Sequence, residues 1–136
     1  MRRPIPLRSL LPGLGAVAAG GLLAVGVTAH TTRSPSSVTI AIPPSESYVY
    51  GAVSSPKQKC EPRRKVKVFR KRSGDDKLFG ATRSPSDNGT YTITAETGTL
   101  PQGTYYSRVL KRDLSPGARH NHLCRAARST NEQVAR

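Results

Sequence analysis

At 136 residues, with 35% hydrophobic and only 5% aromatic side chains, the chain has material for one small domain and excludes a large enzyme cleft. Its formal charge is +14, from 22 lysines and arginines against 8 acids, which directs attention to anionic partners rather than basic ones. Two cysteines are too few for a disulfide-dense scaffold and sufficient for one bridge.

Arg2, Arg3 and Arg8 precede an uncharged, small-residue-rich apolar run from Leu10 to Ala29, the pattern of an export signal. Val27 and Ala29 stand where a cleavage site ahead of His30 requires small residues, so residues 1–29 are expected to form a signal helix that is removed. The competing expectation is an uncleaved anchor, because Ser9–Thr32 is long enough to span a bilayer; Pro12 and the glycines ahead of Leu22 weaken it as a helix. Membrane contact is expected only through this segment. Removing it lowers the charge from +14 to +11, so the exported product stays basic.

Residues 30–37 are polar and contain Pro35, and they are expected to be a mobile linker. The domain proper is expected over residues 38–130. "SVTIAI" places Val38, Ile40 and Ile42 on one face of a strand stopped by Pro43 and Pro44. "SYVYGAVSS" alternates again, with Val49, Gly51 and Val53 on one side and Tyr48 and Tyr50 on the other.

No segment is as basic as Lys59–Lys77. Its period is two: Val66 and Val68 point one way, Lys65, Lys67 and Phe69 the other, with Arg64 and Arg70 at the rims of the inner face. A DNA-groove helix would show apolar spacings of three and four and would avoid paired valines. This is a strand with a charged outer face, followed by a turn at Gly74, Asp75 and Asp76. "KLFGAT" is a short strand, "TYTITA" a strand with Tyr91, Ile93 and Ala95 inward, and "TYYSRVLKR" a strand with Tyr105, Ser107 and Val109 on one face. Residues 131–136 read as a flexible tail. Short alternating strands separated by Gly, Pro, Asp and Asn predict an all-β fold, a single antiparallel β-sandwich of about seven strands behind the N-terminal signal helix.

"SDNGTYTI", Ser86–Ile93, followed by "LPQGTYYSRV", Leu100–Val109, resembles the D-x-N-G-x-Y and L-P-x-G-x-Y pair of carboxypeptidase regulatory-like domains in the transthyretin-like β-sandwich group. The resemblance covers roughly residues 48–112 and is nearest to small secreted bacterial proteins that add two cysteines, whose positions Cys60 and Cys124 match. It implies a non-catalytic module that needs no cofactor and serves as a stalk, adhesive or ligand-contacting domain. The glycine-rich run usual between the first strands is replaced here by "KCEPRR", and "STNEQVAR" lacks the alternation of a last strand. In an oxidising compartment the two cysteines are expected to pair with each other. Asn88 and Gly89 supply an Asx turn and tolerance of positive φ, and Pro101 and Gly103 do the same ahead of Tyr105.

His120, His122 and Cys124 in "HNHLC" alternate in a way that would present three metal ligands on one strand face, the alternative to the disulfide. Asp75 with Asp76 could ligate calcium, but adjacent carboxylates on an exposed turn seldom do. The chain shows no nucleophile motif and no phosphate-cradling loop, so it is read as no enzyme. Two functions follow from these residues. One is a monomeric structural or interaction module, secreted or associated with the cell envelope, meeting an envelope protein or anionic wall polymer. The other is a polyanion binder contacting anionic polymer or nucleic acid, without sequence specificity, through Arg63, Arg64, Lys65, Lys67, Arg70, Lys71 and Arg72.

Overall fold

The computed structural model describes residues 28–135; the expected signal segment lies outside them except for Thr28 and Ala29. The fold is all-β. In chain order the strands are β1 (His30–Ser34), β2 (Ser37–Val38), β3 (Tyr48–Ser54), β4 (Lys65–Arg70), β5 (Lys77–Arg83), β6 (Thr90–Thr94), β7 (Gly103–Val109), β8 (Arg112–Asp113), β9 (His120–Cys124), β10 (Ala127–Arg128) and β11 (Glu132–Val134). One sheet runs β2-β3-β6, a second runs β10-β7-β4-β5 with β11 also on β7, and a third runs β1-β9-β8. Among the described residues no helix is long and apolar enough to cross a membrane.

The first two sheets face each other across one core. Its side chains are the alternating inward residues of each strand: Val49 and Val53 from β3, Tyr91 and Ile93 from β6, Val66 and Val68 from β4, Tyr105 and Val109 from β7. Phe79 packs edge-on against Tyr105, with ring centroids 5.6 Å apart. The Tyr91 hydroxyl bridges the sheets, donating to the Thr39 carbonyl at 2.6 Å and lying 2.5 Å from Ser107 Oγ; burial pushes its pKa up. Gly51 makes room for this bridge, because a Cβ there would stand 2.2 Å from the Thr39 oxygen and 2.7 Å from the Tyr91 hydroxyl.

The same bridge explains why "SVTIAI" is not one continuous strand. Thr39 has given its carbonyl to Tyr91, so the Ala52 amide takes the Thr39 hydroxyl instead, at 2.9 Å. The regular ladder stops at Val38 and returns only as a single bridge from Ala41 to Tyr50. Val38 and Ile40 are still buried, as their alternation requires.

Both ends of the expected domain need correction. The segment expected as a linker contains β1, which runs parallel to β9 in register from His30↔His120 to Ser34↔Cys124. The expected tail contains β11, paired with Gly103–Tyr105 of β7, and its Val134 is buried in the core. Neither strand shows apolar alternation of any length, and backbone pairing with strands already in place orders both. The ordered fold therefore extends from His30 to Val134.

The Asx turn forms as expected, with the Thr90 amide donating to Asn88 Oδ1 at 2.9 Å. Gly89, however, is not among the glycines at positive φ. Glycine is required there for space: a Cβ would lie 2.1 Å from the Val53 carbonyl oxygen, while that strand's amide takes the Gly89 carbonyl at 2.9 Å. Gly89→Ala must push β3 and the turn apart, and a loss of about 2 kcal/mol by urea denaturation is expected, at the upper range of overpacking costs. A change below a few tenths would show that the turn yields freely.

Candidate polyanion-binding face and the buried arginine

Cys60, at the end of a short 3₁₀ turn (Gln58–Cys60), is joined to Cys124 at the end of β9 by a disulfide, with a Cα separation of 5.4 Å and both residues fully buried. The bridge consumes Cys124 as a metal ligand. His120 and His122 lie within β9 rather than in a loop ahead of it, and the His120 ring stacks on His30 of β1 with centroids 6.3 Å apart. Among the described residues no three His, Cys, Asp or Glu side chains converge to hold a metal.

Arg64 is the largest fully buried side chain. It falls two residues before Val66, so strand alternation points it inward, where the apolar core gives way to main-chain carbonyls. One guanidinium nitrogen donates to Cys60 O at 2.6 Å and Ser36 Oγ at 3.0 Å; the other donates to Leu110 O and Arg125 O, both at 2.8 Å. Only Nε is left without a partner. Burial, with the charge of Arg112 secondary, lowers its pKa to about 10, so it remains cationic at neutral pH. Arg64 is thus a structural hub and is removed from the set of expected polymer contacts.

The remaining expected cations do not share one surface. Lys65 and Lys67 point outward from β4, as alternation predicts. Arg63 lies in the loop before it, at φ 55°. Arg70 is half-buried and donates to Gln102 O, while Lys71 and Arg72 continue past the strand, where the Arg72 amide bonds Asp76 Oδ1 at 3.2 Å.

Register assembles a different set. Lys65 faces Arg83 of β5 across the ladder, Lys67 faces Arg108 of β7, and Arg108 faces Arg128 of β10. These five cations occupy the outer face of the second sheet, with a recess of about 340 Å³ beside Tyr106, Arg108 and Arg128. Like charges directly opposite on neighbouring strands cost stability.

Aromatic residues lie on this face too. Phe69 stacks on Tyr106 with centroids 5.4 Å apart, and the Arg128 guanidinium covers the Tyr106 ring at 3.7 Å. The Tyr106 hydroxyl donates to Asp76 Oδ2 at 2.7 Å, which raises the tyrosine pKa and lowers that of Asp76. Tyr106 is therefore covered and holds Arg128 in place; it is not a platform for a nucleobase. Asp76, expected to be an idle turn residue, anchors the end of this stack.

Arg83, Arg108, Arg128 and Tyr106 escaped sequence reasoning. Each alternates outward on its own strand, and that is the only signal each carries. Compared with known proteins, the chain matches no family model and no curated sequence.

Proposed function

We propose that the chain is an exported, non-catalytic interaction module of the transthyretin-like β-sandwich kind, which holds anionic cell-wall polymer on the outer face of the β10-β7-β4-β5 sheet. The buried disulfide supports an oxidising compartment. Two sheets sharing one core, with the N-G-x-Y and L-P-x-G-x-Y turns at strand entries, support the sandwich assignment.

The observation that carries the polymer reading is the run of like-charged rungs: Lys65 opposite Arg83, Lys67 opposite Arg108, Arg108 opposite Arg128. Basic residues on an edge strand are explained by protection against strand-to-strand aggregation. That explanation does not reach Lys67 and Arg108, because β4 and β7 each have neighbours on both sides. Repulsion maintained in the middle of a sheet suits a face that meets an external polyanion. Charge without an open stacking ring favours binding that ignores base sequence.

Lys67→Gln with Arg108→Gln tests this. Binding to poly(glycerol phosphate) or to mixed-sequence duplex DNA should weaken, and on the duplex the slope of log K against log salt should fall by roughly 1.8, as expected for two lost phosphate contacts. The same variant should be more stable, by about 0.5 kcal/mol, because the repulsion is gone. Unchanged polymer affinity, or salt-resistant binding to one defined sequence, would sink the reading.

A further inference from the structure

A second basic feature adjoins the sheet face, where Arg83 Nη1 donates to the Arg63 carbonyl at 3.2 Å. The loop carrying Lys57, Lys59 and Arg63, the turn at Ser86, and the segment carrying Arg112 and His122 line an open cleft of about 380 Å³. None of the five outer-face cations lines it. Four of its nine lining residues are lysine or arginine, two are serines, one is histidine, and none is acidic.

Among the described residues no acidic side chain lines the cleft, and the acids next to it in sequence are hydrogen-bonded to amide groups. Glu61 accepts the Ser55 amide, and Asp113 accepts the Ser115 amide and the Asn121 side chain. Arg112 is positioned by a bond from Nη1 to the Pro62 carbonyl at 2.6 Å, and its charge bears on buried Arg64, whose own partners are all neutral oxygens. His122 Nδ1 is buried with no hydrogen-bond partner. Arg63 adopts a left-handed backbone with φ 55°, where glycine would fit without strain.

We propose that this cleft binds a phosphate group. The donors come from three separate segments that line an open cleft, which suits a tetrahedral oxyanion with oxygens on several sides better than a planar carboxylate with two. A dianionic or diester phosphate also supplies negative charge that none of the lining residues carries. No cation of the polymer-binding face lines the site, and the two are linked by Arg83 Nη1 donating to the Arg63 carbonyl at 3.2 Å.

The test is titration with sodium phosphate at ionic strength held constant with chloride, followed by calorimetry and by the NMR signals of Ser86, Ser115 and His122. Saturable shifts of these residues are expected. Arg63→Gly suits the backbone and should keep or raise the melting temperature, yet weaken phosphate binding by about threefold; adding Lys57→Gln and Lys59→Gln should bring the loss to about tenfold or more. Lys67→Gln with Arg108→Gln should leave phosphate affinity unchanged, which separates this site from the polymer face. Phosphatidylglycerol vesicles form the second arm: saturable shifts of the same residues with vesicles alone assign the group to a lipid headgroup, and shifts with both probes assign it to phosphate itself. No saturable shift in either arm, or a response retained by the triple variant, overturns the proposal.

Discussion

Cys60→Ser with Cys124→Ser should lower the melting temperature by about 20 °C. The cysteines are 64 residues apart, and closing a loop of that length restricts the unfolded chain by about 4 kcal/mol on the chain-entropy estimate. For a domain near 100 residues each kcal/mol moves the midpoint by roughly 4–8 °C, so the shift is large against a net stability of about 5–15 kcal/mol. The loss should not be uniform. The bridge fastens β9, on which β1 and β8 both pair, to the turn ahead of β4. Hydrogen exchange in the variant should accelerate first in β1 and β9, while β3, β4, β6 and β7 keep their protection until global unfolding. Equal acceleration everywhere would mean that the third sheet is held by something other than the bridge. Under non-reducing conditions the native chain should weigh about 2 Da less than its reduced form.

Arg64→Met should cost at least about 3 kcal/mol. Methionine fills much of the volume but leaves Cys60 O, Leu110 O, Arg125 O and Ser36 Oγ without donors, and each unsatisfied buried acceptor costs about 1–3 kcal/mol, partly offset by no longer burying a cation. Arg64→Lys keeps the charge but offers a single nitrogen to acceptors that the guanidinium reaches with two, so it should recover only part of the loss. Urea midpoints of the two variants measure this, and a midpoint for Arg64→Met indistinguishable from the parent would refute the hub. Polymer binding by the folded fraction should be unaltered in both variants, because Arg64 contributes nothing to the outer face. The pH dependence carries a further sign. Since the folded pKa of Arg64 lies below its unfolded value, the unfolded chain holds the extra proton above about pH 10, and this residue alone makes stability rise with pH there. Tyr91, Tyr105 and Tyr106 act oppositely: their folded pKa values are raised, so their contribution is present below the ordinary tyrosine range and lost as pH climbs through the folded values.

Much of the core was legible because a strand's period of two encodes which side of the chain faces inward. Val49 and Val53, Val66 and Val68, Tyr91 with Ile93 and Ala95, and Tyr105 with Ser107 and Val109 are all buried as alternation predicts. The same rule placed Arg64 only at the rim of the inner face, among the expected polymer contacts, and its burial was not legible because its four acceptors belong to residues 36, 60, 110 and 125. The disulfide was legible for another reason, since a chain with only two cysteines leaves one intramolecular pairing. Strands β1 and β11 were not legible. "HTTRS" is exposed almost throughout, and its extended form rests on backbone bonds to β9 rather than on its own side chains.

From its own pattern the chain determined an all-β fold, the inward faces of β3, β4, β6 and β7, the turns at Asn88 and Pro101, and a basic outer surface on β4. Those properties are local, and they follow from alternation and turn chemistry within a few residues. Tertiary structure alone decided that Lys67, Arg108 and Arg128 stand in one row, that Tyr106 is covered by Arg128 and tied to Asp76, and that Arg63, Ser86, Arg112 and His122 share a cleft. The physical reason is register: alternation says which face a residue occupies, but strand pairing selects its neighbours, and those neighbours are drawn from across the sequence.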